Sequence, residues 1–432
     1  MTEPNASKLS DIAEVNGAQA IIALMQEPTE ADKDLVRRAY AFARAAHEGH
    51  KRLSGEPYTT HLIAVAEDLA RINMSATTIA AGLLHDCVED MGIAPETIEK
   101  EFGKQVRFLV EGVTKLGSLK YHGTTRHVES LRKLLVATSK DVRVLIIKLM
   151  DRLHNMRTLK YVRPEKRTRI ALETLEIHAA IAHRLGMGMV RRELEDLAFE
   201  YAYPKEFAET KKLITEREKE TQKRLNDMSR KLKRALAEAN IKGFEVDSRV
   251  KGIYSLWQKL KRKGGEVENV HDIAALRVIV NNVADCYHVL GIVHGLWQPL
   301  PNKIKDYIRV PKPNGYQSLH TTVFSGDGGI VEIQIRTHEM HDDALFGVAS
   351  HVSYKENGRG TTSASTGMNG NDDDKQETTP TGKQSSFDWV KSLMPRLSSR
   401  RSRSDDASTA GSAAEHRVQD RRLYNRRRDE PD

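Results

Sequence analysis

The chain has 432 residues, 39% hydrophobic and 30% charged, with a formal charge of +8; that length exceeds what one hydrophobic core serves, so at least two domains are expected. No run of about 18 apolar residues occurs and the start, Met1 to Ser10, is polar, so the expectation is a cytoplasmic protein with neither a membrane span nor a secretion signal. Two cysteines, Cys87 and Cys286, exclude a disulfide framework, and the positive balance favours anionic partners such as nucleotides or RNA.

In chain order, residues 1–29 read as an N-terminal extension. From Glu30 to about Tyr203 apolar residues recur at helical spacing, as in Leu35, Ala39, Phe42 and Ala46 or Leu172, Leu175 and Ala179, which predicts an all-α domain over 30–203. Residues 204–240, rich in Lys, Arg and Glu with sparse apolar positions, read as a helical connector whose charged face is solvated. Over 241–357 the pattern changes to an α+β domain. Phe244 to Val246 and Ala275 to Val280 read as strands, Gly252 to Lys263 and Val283 to Trp297 as helices, and Ser318 to Phe324 with Gly329 to Ile335 as a hairpin. Residues 358–432 are too poor in apolar residues to offset ordering entropy, so a mostly disordered basic tail is expected, with a short docking helix over Phe387 to Met394.

Two groups of residues carry chemistry. The first is His61, His85, Asp86 and Asp151, all in helical sequence, so three helices could bring two imidazoles and two carboxylates around one ion. A lone His-Asp pair is usually an ordinary surface pair, but an ordered set within one helical domain is not. Mixed nitrogen and oxygen ligands suit Mn²⁺, Fe²⁺ or Zn²⁺. Glu89 falls one turn beyond His85 and Asp86, placed to handle a proton of an attacking water, with Asp90 next. Arg52 is a cation that could meet phosphate or stack on a base, and Asn155 and Thr158 follow Asp151 on one stripe. His47, His50, His178 and His183 lack such partners, and Cys87 reads as an inert buried thiol.

The second group lies in the α+β region. Arg249 and Lys251 precede a helix N-terminus that could favour phosphate, and Arg277 on the next strand offers, with Arg249, two flat guanidinium planes for a base. Lys259, Lys303, Lys305 and Lys312 add charge suited to a triphosphate, while Asp272 and Glu332 read as Mg²⁺ ligands. The turn Pro311 to Gln317 presents Tyr316 as a stacking ring, with Asn314, Gln317 and His320 beside it and Gln334 in the segment Glu332 to Arg336. Any one of these residues fits an ordinary turn and strand; the combination of acids, cations and aromatics is harder to reconcile with one.

Several motifs carry a resemblance. They are Ser54-Gly55-Glu56-Pro57-Tyr58, His85-Asp86-Cys87-Val88-Glu89-Asp90, Gly112 to Leu116, Ala182 to Gly186, Lys305-Asp306-Tyr307-Ile308, Pro311 to His320 and Glu332 to Thr337. With them the chain resembles the RelA/SpoT homologue family, whose hydrolase domain is of the HD phosphohydrolase type and whose synthetase domain is nucleotidyltransferase-like. The resemblance implies Mn²⁺ held by His61, His85, Asp86 and Asp151, with Glu89 and Asp90 activating water to remove pyrophosphate from (p)ppGpp. Guanine and ribose would lie near Arg52, Asn155 and Thr158. It also implies transfer of pyrophosphate from ATP to the 3′-hydroxyl of GDP or GTP. There Arg249 and Arg277 would hold adenine, Lys251 and Lys305 the phosphates, Asp272 the Mg²⁺, Tyr316 guanine, and Glu332 the metal and acceptor hydroxyl. Met91, Ser248 and Lys303 depart from the family pattern, where a hydroxyl residue, a glycine and an arginine are expected.

Long family members continue into regulatory domains; this chain resembles their catalytic half, so stimulation by ribosomes is expected to be weak. Two other readings stand beside the bifunctional one. The synthetase region could be only a nucleotide-binding regulator of a hydrolase, or the basic tail could make the chain an RNA-binding interaction protein. Opposed activities in one chain also suggest reciprocal control through the 204–240 connector.

Overall fold

The computed structural model describes residues 17–117, 141–262 and 274–356. Asp272 and the 358–432 tail, with its Phe387 to Met394 segment, lie outside these.

The first body is helical, with a helix over 17–24 followed by Glu30–Ala46, Thr59–Arg71, Ala76–Leu84, Pro95–Phe102, Lys104–Gly117, Arg143–Arg157, Pro164–Glu173, Ala179–Arg184 and Gly188–Ala202. Local sequence sets the starts. The Thr29 hydroxyl accepts from the Asp32 amide at 3.2 Å while the Asp32 carboxylate accepts from the Thr29 amide at 3.0 Å, a reciprocal cap. Ser75 caps the Ala76–Leu84 helix, whose nine residues, almost all apolar, are buried on every side and form the centre of the body. Gly82 lets the Thr59–Arg71 helix approach this one, since a methyl there would lie 2.4 Å from Leu69 Cδ1. That close crossing brings His61 and His85 to one place.

The second body is a five-stranded sheet in the order β1-β2-β5-β4-β3: β1 Glu245–Val250, β2 Ala274–Val280, β3 Lys305–Asp306, β4 Leu319–Phe324 and β5 Ile330–Thr337. β2 and β5 run parallel, and the other neighbours are antiparallel. Alternation divides the sheet into two faces. Leu276, Val278, Val280, Leu319, Val323, Ile333 and Ile335 pack with the Val283–Leu296 helix into an apolar core. Arg249, Arg277, His320, Glu332, Gln334 and Arg336 share the opposite face, as the pairing register requires.

The long helix Pro204–Glu238 occupies the expected helical connector and adds a buried stripe opposite its charged face. Leu225, Met228, Leu232 and Leu236 are buried in the sheet's core, and Leu213 packs against Leu256 and Leu260. Its apolar positions are few but fall at three- and four-residue steps, enough for one buried stripe on a charged helix. The chain also crosses back, because Val348, Ala349 and Val352, which follow the sheet, belong to the helical core, as do Ala18, Ile21 and Ile22 from the helix over 17–24. Among the described residues no helix is long and apolar enough to cross a membrane.

Candidate active sites

His61 comes from the first turn of the Thr59–Arg71 helix, His85 and Asp86 follow directly on the Ala76–Leu84 helix, and Asp151 is central in the Arg143–Arg157 helix. The structure brings all four together. His61 Nε2 is 3.6 Å from Asp86 Oδ2 and 3.4 Å from Asp151 Oδ1, and His85 Nε2 is 3.1 Å and 3.9 Å from the same oxygens.

The donor set fits a divalent ion. The Nδ1 of His85 is 2.7 Å from the Gly82 carbonyl, which fixes a proton on that nitrogen, so Nε2 is the one that can exchange its proton for a metal; without one, and against burial, Asp86 and Asp151 push the imidazole up to about 9. That Nε2 is buried and faces the Asp86 carboxylate at 3.1 Å. His61 Nδ1 meets His154 Nδ1 at 2.8 Å. His154 is neutral, pushed down to about 3 by burial and by His61 and Arg52, so its Nδ1 can accept the His61 proton and turn the other His61 nitrogen toward the centre. Burial opposes charge on Asp151, but Lys148, 2.8 Å away, and the two imidazoles hold it well below the usual carboxylate range. Burial likewise opposes charge on Asp86, yet His85 brings it to about 2.

The loop after His85 departs from the helical expectation. The helix ends at Leu84, and residues 85–91 form turns closed by Ile93 N to Cys87 O at 3.2 Å, with Gly92 at φ +65° supplying the left-handed residue. Glu89 therefore does not sit on a shared helix face. It is an exposed carboxyl on the turn, held above its ordinary pKa by burial and by Asp86, Asp90 and Asp151, against Lys148. Asp90 is fixed differently: the Tyr58 hydroxyl lies 2.9 Å from Asp90 Oδ2 and 2.8 Å from Asp86 Oδ2. The Arg52 guanidinium donates to Asn155 Oδ1 at 2.9 Å and to Thr158 Oγ1 at 3.2 Å, so the three expected substrate contacts form one cluster. Burial, with Asp86 and Asp90, pushes the Cys87 thiol up to about 12, as an inert thiol requires.

The polar sheet face forms one wall of a cleft of about 1030 Å³, and the Gly188–Ala202 helix of the first body forms the other. Arg249, Lys251, Arg277, Lys312, Asn314, Tyr316, His320, Glu332 and Gln334 all line it. The Tyr316 hydroxyl is 2.8 Å from His320 Nε2, and His320 Nδ1 is 2.6 Å from Glu332 Oε1, a relay that holds the carboxylate in place. Lys312 stands over the rings of Tyr307 and Tyr316 at 4.6 Å and 4.9 Å from their centroids. Arg277 is clamped by Asp247, its cross-strand partner, and keeps its plane on the cleft face.

Four expectations need revision here. The start of the Ile253–Arg262 helix is not open to phosphate, because the Asp196 carboxylate accepts from the Tyr254 amide at 3.1 Å and lies where a side chain on Gly252 would go. Gln317 donates to the Ile308 carbonyl at 3.1 Å, and Asn314 donates to the His183 carbonyl at 3.1 Å, so each amide already gives one N–H to the backbone. Lys305 is exposed on the edge strand β3 and outside the lining of the cleft, though its charge still depresses Lys312.

Residues 39–188 match the HD domain family, and residues 248–359 match the region found in RelA / SpoT proteins. The chain belongs to the RelA/SpoT homologue family. It is 46% identical over 354 residues to the guanosine-3′,5′-bis(diphosphate) 3′-pyrophosphohydrolase of Aquifex aeolicus, covering 81% of this chain and 50% of that protein. It is 47% identical over 321 residues to the GTP pyrophosphokinase of Streptomyces coelicolor, covering 74% and 38%. With the bifunctional (p)ppGpp synthase/hydrolase SpoT of Escherichia coli it shares 45% identity over 330 residues, covering 76% and 47%. This RelA/SpoT homologue thus spans about half the length, or less, of these relatives.

The HD match implies a divalent metal, and His61, His85 and Asp86 are the described residues whose ligand atoms cluster tightly enough to hold one, with Asp151 at their edge. Sequence reasoning missed Tyr58, Lys148, His154 and Arg336 in this RelA/SpoT homologue. Tyr58 stands three residues before His61 and His154 three after Asp151, spacings that put each near the metal ligand on its own segment.

Proposed function

We propose that the chain is a bifunctional alarmone enzyme of the cytoplasm. At the sheet cleft it moves the β,γ-pyrophosphate of ATP to the 3′-hydroxyl of GDP or GTP, making (p)ppGpp; at the helical site it hydrolyses (p)ppGpp to GDP or GTP and pyrophosphate. One observation carries the reading: the imidazoles of buried His61 and His85 converge with the carboxylates of Asp86 and Asp151, apart from a cleft lined by Arg249, Lys312 and Glu332. The names of relatives, which include a hydrolase, a pyrophosphokinase and a bifunctional enzyme, support both directions.

For hydrolysis, His61, His85, Asp86 and Asp151 would hold Mn²⁺. When bound, such an ion polarises a phosphoryl oxygen and makes a water more acidic. Glu89, with its raised pKa, takes a proton near neutral pH better than an ordinary carboxylate would. Asp90, steadied by Tyr58, stands next to it. The Arg52 guanidinium, braced by Asn155 and Thr158, offers a charged plane to the guanine nucleoside.

For synthesis, Asp272 and Glu332 would hold Mg²⁺, which offsets phosphate charge when bound. Arg249 and Arg277 flank the adenine, Lys251 meets the phosphates with Lys305 adding charge from outside the cleft lining, and Tyr316 stacks on the acceptor guanine with His320 beside it. Glu332, held by His320 at 2.6 Å, stands where it can receive the 3′-hydroxyl proton. Such a transfer is mainly positioning and charge stabilisation, which suits a site rich in cations.

The test is direct. Incubated with ATP and GDP in Mg²⁺ the protein should form ppGpp, and with ppGpp in Mn²⁺ it should release pyrophosphate. Failure to form ppGpp at any protein concentration would leave a hydrolase with a nucleotide-binding domain.

A further inference from the structure

Eight buried side-chain nitrogen and oxygen atoms among the described residues lack a hydrogen-bond partner, and five belong to three neighbouring side chains, so the deficit is local rather than scattered. They are Oε1 of Gln334, Nδ1 of His341 and all three guanidinium nitrogens of Arg336, a residue only 1% exposed. A buried guanidinium without partners is costly, and buried polar groups are satisfied in the great majority of folded proteins. The cost is not relieved by a nearby acid. Asp247, the carboxylate that acts on Arg336, is already clamped to Arg277.

Gln334 and Arg336 both line the cleft, two residues apart on β5 and therefore on one face. Gln334 pairs in register with Arg277 on β2, whose guanidinium rises from that same face, with Arg249 one strand further on. His341 stands behind, kept neutral: burial first, then Arg336 and Arg277, push it down to about 4.

The chemistry of the unsatisfied atoms is mixed. Arg336 offers donors and Gln334 an acceptor. A phosphate accepts only, so it would satisfy Arg336 and leave the Gln334 oxygen facing like charge. A purine edge offers both: in adenine the N6 amino group donates beside a ring nitrogen that accepts.

We propose that Gln334 and Arg336 read the edge of the adenine of the donor nucleotide, the Gln334 oxygen taking the N6 hydrogen and Arg336 donating to the adjacent ring nitrogen. The base lies flat against Arg277, so stacking and edge recognition come from the same two strands. This rests on the cleft being a nucleotide site, and it adds the source of base selectivity.

The test uses the full chain with Gln334→Leu and Arg336→Lys, alongside wild type. Far-UV circular dichroism and thermal unfolding would establish that each variant folds. Steady-state kinetics then vary ATP and GDP separately, and inosine triphosphate replaces ATP in a third series. Inosine carries a carbonyl where adenine has its amino group, so the wild type should favour ATP by at least about tenfold in kcat/KM. Gln334→Leu should lose most of that preference, and both variants should raise KM for ATP about tenfold or more while leaving KM for GDP within about twofold. An effect on GDP alone would overturn the assignment to adenine, and unchanged ATP selectivity in both folded variants would overturn the edge contact itself. Wild type that binds no purine nucleotide by calorimetry would instead remove the reading of the cleft, a separate failure.

Discussion

The hydroxyl of Tyr58 lies 2.8 Å from Asp86, one of the four residues assigned to the metal, and it reaches Asp90 at 2.9 Å as well. One phenol thus shares its hydrogen between the carboxylate proposed to hold the metal and the one proposed to act on water. The ring is held in turn by His47, stacked at 4.8 Å between centroids. Removing the hydroxyl while keeping the ring should disturb the site and little else. Tyr58→Phe is expected to lower hydrolysis of ppGpp about 10- to 100-fold, partly through weaker Mn²⁺ affinity, while ppGpp synthesis stays near wild type. Manganese titration of both activities checks this.

Glu89 carries the pH dependence. Its carboxyl is raised above the ordinary value, and it serves as a base only when ionised, so hydrolysis should rise with pH as Glu89 loses its proton and fall on acidification. The acid limb of the rate profile should therefore be displaced upward from where an ordinary glutamate would put it. Glu89→Gln should flatten that limb and cut the plateau about 100-fold or more, measured as initial rates at saturating Mn²⁺.

Gly347 joins the two bodies. A side chain there would meet the Leu185 carbonyl at 2.2 Å and Met187 N at 2.7 Å, and its φ of +56° disfavours any residue with a Cβ. Gly347→Ala should destabilise the fold by about 2–4 kcal/mol, seen as a lower denaturant midpoint.

Leu232, fully buried between the long helix and the sheet, tests whether that helix is structural to the synthetase body. Leu232→Ala should cost about 2–5 kcal/mol, whereas a solvated connector would tolerate it within about 0.5 kcal/mol. Urea unfolding followed by circular dichroism distinguishes the two.

The helical body, the mixed sheet and the β4-β5 hairpin could be read in the sequence because their periods of 3.6 and 2 are plain there. The convergence of His61, His85, Asp86 and Asp151 could be read as well, since all four fall in sequence with helical spacing and apolar neighbours. What could not be read was set by contacts distant in sequence. Asp196 caps a helix 58 residues away, Asn314 and Gln317 turn their amides to backbone carbonyls, and Arg336 is buried by neighbours from other strands. That the long helix joins the sheet's core could not be read, because a charged majority masked one narrow apolar stripe. The end of the helix at Leu84 has no glycine or proline to mark it in the motif itself; the left-handed Gly92 lies eight residues on.

The most direct test of the two-site account is a paired assay of synthesis and hydrolysis on wild type, Asp86→Ala and Glu332→Gln. The account predicts that Asp86→Ala abolishes ppGpp hydrolysis and keeps ppGpp synthesis, while Glu332→Gln does the reverse. If either substitution abolished both activities in a folded protein, or neither, the assignment of the two chemistries to separate sites would be contradicted.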